Sequence, residues 1–419
     1  MLRFIHAADI HLDSPLRGLA RYQGAPLEEL QGATRKAFSN LVSEALRREV
    51  DLLLLAGDLF DGDWPDYNTG LFFLQEMARL ERAGIQVVTL AGNHDADSKI
   101  SKSLRLPSNV HVLPVDNPGT INFEELKVAV HGQGFAQAAT TEDLTAYYPE
   151  PLPGRFNIGM LHTSADGRPG HDSYAPCSVE TLKNFGYQYW ALGHVHQREV
   201  LCEEPWILFC GNLQGRHVKE SGPKGATMVT VESGRVNHVE ELVLDVLRWS
   251  HLRLDISQVE TDDQFLDLVD EELREARAAA QGRFLAFRVE TMGRGFFHAR
   301  LTSDPEYFAA EIRSLAIQVG SGVWFEKLKT SSATVIPQTE DDGSLNHLLS
   351  GIRSRLEESD EIQELGRELF ESLLSKLPRS WRTGDLGFDP TDPAYLRDAV
   401  EDSLGMLEER LGGFEESRS

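Results

Sequence analysis

Five stretches of this chain end an apolar run, or closely follow one, on side chains able to hold a metal, and that repetition limits the folds open to it. Phe4-Ile5 come just before Asp9-Ile10-His11, and residues 51–57 lead into Asp58. Residues 87–92 lead into Asn93-His94-Asp95, residues 158–161 into His162, and residues 189–193 into His194-Val195-His196. Continuous apolar runs of this length read as buried strands of a sheet covered on both faces, and several here end in glycine. The reactive side chains then fall where strands run out into loops, the edge at which such sheets carry their active sites.

Carboxylate and imidazole together suit manganese, iron or zinc, whereas an all-oxygen set would suggest magnesium or calcium. Asp9 and His11 are two residues apart, as are His194 and His196. Extended backbone turns residues i and i+2 to the same side, so each pair is expected to present two ligands from one strand end. Two divalent ions about 4 Å apart can clamp the entering and leaving oxygens of an in-line displacement at phosphorus. Asp58, the lone acid closing its strand, is the expected bridge between them. Asp9, His11 and His196 complete one site, and Asn93, His162 and His194 the other. A metal-bridging hydroxide is the expected nucleophile, because coordination lowers the pKa of water. His94 is assigned to the leaving group, as general acid or charge stabiliser. Asp95 is expected to orient a histidine. Each piece has a plain alternative: a lone histidine after a strand is more often packed, and Gly-Asp or Gly-Asn pairs mark turns. Two spaced pairs and three single ligands at successive strand ends outweigh those alternatives together. His131 and His217 adjoin glycine-containing loops but stay outside the expected metal shell.

The pattern D-x-H, GD, GNH[DE], H and GHxH resembles that of the calcineurin-like metallophosphoesterases. Within them, residues 4–15, 56–62, 103–107, 189–196 and Gly211-Asn212-Leu213-Gln214-Gly215-Arg216-His217 resemble the bacterial DNA-repair exonuclease group. That group comprises nuclease subunits of SbcCD-type complexes and YhaO-like relatives. The resemblance covers about the first 245 residues well and the rest in layout. It implies a four-layer α/β/β/α core with a smaller α+β capping domain and a C-terminal helical region. It also implies a manganese-dependent nuclease acting on DNA, most simply an exonuclease.

Composition sets the remaining expectations. A chain of 419 residues exceeds one ordinary core. The expected division is a metallophosphoesterase domain over 1–247, a capping domain over 248–335, a linker over 336–344 and an acidic helical region over 345–419. The capping segment reads strand, helix, strand, helix, strand. Its Phe284, Phe287, Phe296, Phe297, Trp324 and Phe325 are either core or, less simply, a base-stacking surface. Beyond residue 344, leucines recur at helical spacing, and family layout points to docking on an SbcC- or YhaN-like coiled-coil ATPase, with folding back on the cap as the alternative. A homodimer is also compatible with the resemblance. No apolar stretch is long enough to span a membrane, the first ligand stands at Asp9, and three unpaired cysteines suit a reducing cytoplasm.

A formal net charge of −25 is unusual for a nucleic-acid enzyme, since phosphate contacts favour a basic footprint. Part of the excess is segregated: residues 340–419 hold 20 acidic and 9 basic side chains. Lys99, Lys102, Arg105, Arg168, Arg216, Lys219 and Lys224 are expected to flank the metals, with Arg105, Arg216 and His217 as the substrate contacts. The acidic balance keeps open a phosphodiesterase or phosphatase for small phosphate compounds. A metal-containing scaffold for an ATPase partner is the reading outside enzymology.

Overall fold

The computed structural model describes residues 1–14, 26–61, 67–96, 105–166 and 174–334. Its first six-stranded sheet contains β1 (Leu2–Ala7), β2 (Leu52–Leu55), β3 (Gln86–Thr89) and β4 (Val110–Val112), joined through α1 (Leu27–Arg47), α2 (Asn68–Arg82) and the short α3 (Asn93–Ala96). Those four strands run parallel. The second sheet contains β5 (Gly119–Phe123), β6 (Val128–Gly132), β7 (Phe156–His162), β8 (Tyr189–Gly193), β9 (Glu199–Glu203) and β10 (Trp206–Phe209), with α4 (Val179–Asn184) before β8. A hairpin of β11 (Gly225–Glu232) and β12 (Arg235–Val243) returns to the first sheet, where β11 pairs antiparallel with β1.

Strand alternation explains the layering. Leu52 and Leu54 face inward with Phe4, Ile158, Met160, Tyr189 and Ala191, forming a core between the two sheets. Leu53 and Leu55 face the other way with Ile5, against Phe38, Leu41, Phe73 and Met77 of α1 and α2. Trp190 and Leu192 cover the outer face of the second sheet with Leu182, Tyr148 and Tyr187. All four leucines of β2 are fully buried, as a strand packed on both faces requires. The core is therefore α/β/β/α, its outermost layer thinner than the one built by α1 and α2. Among the described residues, no helix is long and apolar enough to cross a membrane.

The chain continues as β13 (Leu247–Asp255), α5 (Asp262–Ala279), β14 (Phe284–Met292), α6 (Phe297–Ser303), α7 (Pro305–Val319) and β15 (Val323–Thr330), and the three strands form a third sheet. The alternation of strand and helix follows the sequence reading, except that α6 was not anticipated. Only Phe297 and Leu301 of α6 are buried, too short an apolar stripe to register as a helix. Of the six aromatics singled out there, Phe296 is exposed, and Phe287, Phe297, Trp324 and Phe325 are core. By contacts, the described residues divide into a unit within 1–252, 271–288 and 313–327 and a unit within 253–270, 289–312 and 328–334. The expected linker and acidic helical region lie outside the described residues.

Candidate metal centre

Each sheet contributes its carboxyl edge. β1, β2 and β3 end just before Asp9, Asp58 and Asn93, while β7 ends on His162 and β8 stops one residue before His194. The chain leaves these strands abruptly. Asp9, His11, Asp58 and His194 all have positive φ, at 51°, 45°, 51° and 97°. The expected strand-end alternation therefore fails for Asp9 and His11. Both lie past the end of β1 in left-handed backbone, and the sharp turning of the chain, not a pleat, brings their side chains together. Such conformations cost a non-glycine residue on the order of 1–3 kcal/mol and persist only where surroundings enforce them. Here hydrogen bonds from Asp9 N to Gly57 O, from His11 N to Asp58 O and from Leu12 N to Leu59 O lock the two loops to each other. Two motif glycines permit the approach. A Cβ on Gly92 would land on the Asp58 carboxylate, and one on Gly57 (φ +93°) on the imidazole of His162.

Three groups of donor atoms result: Asp9 with His11 and His196, Asp9 with Asp58 and His162, and His11 with Asp58 and His94. Asp9, His11, Asp58 and His162 are buried and form the floor, His196 and Asn93 are half-buried, and His94 is exposed. The first group matches the expected first site. The second places Asp58 with His162, whose Nε2 is also 3.0 Å from Asn93 Oδ1. His194 is outside these groups among the described residues. Its backbone N–H donates to both oxygens of Asp9, and its ring lies edge-on to His162 at 5.2 Å.

The arrangement fits divalent cations on its own chemistry. His11 Nδ1 faces Asp61 at 3.3 Å and His196 Nδ1 faces Glu220 at 2.7 Å. Each Nδ1 is therefore the protonated nitrogen, and the two bare Nε2 atoms confront each other at 3.3 Å. Two lone pairs at that distance repel unless a proton or a metal cation lies between them. Donors around an ion at about 2.1 Å stand roughly 3.0–3.4 Å apart. The His162 Nε2–Asp58 Oδ2 separation of 3.3 Å falls in that range too. His11 Nε2–Asp58 Oδ2 and His196 Nε2–Asp9 Oδ1, both 3.9 Å, are slightly longer.

Electrostatics separate the histidines. Burial alone would depress His162, but the charges of Asp58 and Asp9 raise it to about 9. Burial and then Arg216 push His11 down to about 4. For His94, burial opposes charging, yet the hydrogen bond to Asp61 and the nearby Asp58 charge hold it above its ordinary value. Its Nδ1 is 2.7 Å from Asp61 Oδ1, so the candidate leaving-group acid is held by a carboxylate at the mouth of the site.

Four residues take places that differ from expectation or escaped it. Asp95 orients no histidine: it accepts backbone N–H bonds from Gly92, Leu59 and Phe60, tying the Asp58 loop to the Asn93 loop. Arg216, expected at the substrate, is largely buried and directed at Asp61 and Glu220. Asp61 and Glu220 themselves carried no assignment. Asp61 had a faint signal as a second acid three residues after Asp58. Glu220 had none, because it meets His196 from 24 residues away.

Among the other expected contacts, His217 is 3.6 Å from Glu220, and Arg105 is exposed with no ion pair to the centre among the described residues. Lys224 is buried and donates to His196 O at 2.9 Å, while Lys219 is exposed. Lys99, Lys102 and Arg168 lie outside the described residues. His131 is a core residue between Asn157 and Thr120, stacked on Tyr187. The three cysteines are free, and burial pushes the Cys177 thiol up to about 11, which suits packing.

Comparison with known proteins agrees with this geometry. Residues 2–198 match the calcineurin-like phosphoesterase family, and residues 249–333 match the middle domain of the metallophosphoesterase YhaO. An uncharacterized metallophosphoesterase YhaO of Bacillus subtilis is 34% identical over 280 residues, covering 66% of this chain and 68% of that protein. The DNA double-strand break repair protein Mre11 of Methanopyrus kandleri is 27% identical over 214 residues, covering 46% of this chain and 44% of that one. A dimetal phosphatase from Danio rerio aligns over 55% of this chain and 93% of its own at 10% identity, with a TM-score of 0.34, too slight a likeness to bear on function. The chain belongs to the calcineurin-like metallophosphoesterases, among the relatives of YhaO, and that membership makes it a metal-dependent phosphoesterase.

Proposed function

We propose that the chain hydrolyses phosphodiester bonds of DNA as a manganese-dependent exonuclease. The observation that carries the reading is the ordering by depth: a buried floor of metal donors with His94 exposed above it, its Nδ1 held by Asp61. Two divalent ions held by Asp9, His11, Asp58, Asn93, His162, His194 and His196 would supply charge neutralisation at phosphorus and a water of lowered pKa. Asp58, whose Oδ2 is 3.9 Å from His11 Nε2 and 3.3 Å from His162 Nε2, would be the carboxylate shared between the two positions, with Asp9 beside it in both donor groups. Asp61 fixes the His94 ring, leaving Nε2–H free to give its proton to the departing oxygen. DNA as the substrate is supported by the similarity to the archaeal Mre11 repair protein. We extend the proposal to a coiled-coil ATPase of the SbcC or YhaN kind as partner of the leucine stripes beyond residue 344.

The net charge of −25 favours a second reading, hydrolysis of small phosphate compounds. One assay separates the two: digestion of end-labelled DNA with manganese, beside bis-p-nitrophenyl phosphate, with Asp58→Ala and His94→Ala as controls. DNA shortening lost in both variants supports the exonuclease. Diester cleavage with intact DNA supports the second reading, and no hydrolysis with any divalent metal would remove both.

A further inference from the structure

Arg216 belongs to no donor group, yet it joins two histidines of the first group from behind. Its Nη1 is 3.4 Å from Asp61 Oδ2 and its Nη2 is 3.3 Å from Glu220 Oε1. Those carboxylates are the ones that accept from Nδ1 of His11 and His196. Glu220, almost wholly buried, also takes the backbone N–H of Arg216 at 2.7 Å and the side-chain amide of Asn212 at 3.0 Å. The chain of contacts is therefore closed: His11, Asp61, Arg216, Glu220, His196, and back to His11 across the two Nε2 atoms.

We infer that Arg216 is a clamp that positions the histidine pair of the first metal site and does not bind substrate phosphate. The inference rests on the two-metal reading above. A metal-bound imidazole is oriented by what its other nitrogen meets, and both partners here are anionic and share one guanidinium. The planar fork of arginine can serve two carboxylates at fixed separation, which a lysine ammonium cannot do with the same geometry. The guanidinium lies in a nearly closed position, side chain 13% exposed, with its charge already matched by Asp61 and Glu220. A phosphate would have to compete with both. Without the fork, Asp61 and Glu220 lose their common tether, and the His11 and His196 rings lose the alignment that brings their lone pairs to one point.

The test uses the full chain stripped of metal and titrated calorimetrically with Mn2+, beside hydrolysis of bis-p-nitrophenyl phosphate at saturating Mn2+. Arg216→Met is expected to weaken one of the two Mn2+ binding events by about 10–100-fold, the usual effect of losing an outer partner. Arg216→Lys, which keeps the charge and removes the fork, is expected to weaken the same event about 10-fold or more. In both, KM for the diester at saturating Mn2+ is expected to stay within about threefold of the parent, since no substrate contact has gone.

Four results would overturn the clamp. Unchanged Mn2+ binding in Arg216→Met would mean that Arg216 positions nothing at the site, and tighter binding that only a repelling positive charge had been removed. Parental binding in Arg216→Lys would leave charge as the whole effect. KM raised more than about tenfold with Mn2+ binding intact would return Arg216 to the substrate. A parent chain that binds no Mn2+ would leave the clamp nothing to position. A parent that binds two ions but cleaves neither DNA nor diester would defeat the proposed function alone, while the titrations still decide the clamp. Glu220→Gln, combined with Arg216→Lys, guards against a folding artefact: the double variant is expected to lose less than the product of the two single losses, and strict multiplication would count against one shared network.

Discussion

In one half of the metal centre, the outer nitrogens of His11 and His196 rest on the side chains of Asp61 and Glu220. In the other half, His162 Nδ1 rests on the main chain, 3.0 Å from the carbonyl of Ala56. That carbonyl belongs to the continuation of β2, whose Ala56 N–H bonds to Ala7 O. The first half is thus held by charged groups that evolution or mutation can exchange one at a time. The second is built into the meeting of the two sheets and can be altered only by moving a strand end. Asp58 stands where the halves meet, within reach of both His11 and His162.

The strongest way to break that comparison is to remove the shared group. Asp58→Asn is expected to lower phosphodiester hydrolysis by about 10³-fold or more, since several kcal/mol of charge stabilisation depend on both ions. Metal titration should show both binding events weakened. Loss of one ion with the other bound normally would mean that Asp58 serves a single half. His94→Gln is expected to fall next, lowering kcat about 10²–10³-fold with Mn2+ binding nearly intact. If Mn2+ binding collapses instead, His94 is a ligand, as its proximity to His11 and Asp58 would then explain.

Gly57→Ala bears first on the main-chain half. The new Cβ would sit 2.5 Å from His162 Nδ1, on backbone at φ +93°. Destabilisation of about 1–3 kcal/mol is expected, read as a lower melting temperature in chelator, together with weaker binding of one ion. The Arg216 variants should weaken the other ion. If Gly57→Ala and Arg216→Lys affect the same binding event, the two halves are not separately scaffolded.

How much of this was legible follows from what each residue depends on. The ligands were legible because each sits beside an apolar run whose strand character is local, as for Asp58 after Leu52–Leu55 and His162 at the close of Phe156–His162. That the strands would be covered on both faces followed from the same runs, whereas the four-layer sandwich was implied by the family resemblance. The left-handed backbone at Asp9 and His11 was not legible, because it is imposed by hydrogen bonds from loops about 47 residues away. Arg216 was misread for a related reason. A basic residue near a metal motif looks like a phosphate ligand until the fold brings Asp61, 155 residues distant, against it. Asp95 shows the same limit: a carboxylate beside a histidine in sequence turned to three backbone amides instead.

The smallest expected effect isolates what Asp58 does to a buried imidazole. His6, on β1, shares with His162 full burial and a backbone carbonyl partner, its Nε2 being 3.2 Å from Leu192 O and its Nδ1 3.0 Å from Tyr189 Oη. Among the described residues, no carboxylate ranks among the main influences on it, and burial lowers it to about 3, whereas His162 stands near 9. Between the ordinary value of 6.5 and about 3, the unfolded chain therefore binds a proton at His6 that the folded chain refuses. Stability from this residue is complete above pH 6.5 and is lost as pH falls, at up to about 1.4 kcal/mol per pH unit. In His6→Gln, denaturant midpoints should decline less steeply over that range, the difference from the parent amounting to about 1–2 kcal/mol between pH 6.5 and 5. Parallel slopes would mean that His6 is charged in the folded chain. Burial beside a carbonyl would then suffice to hold an imidazolium, and the high value at His162 would no longer require Asp58.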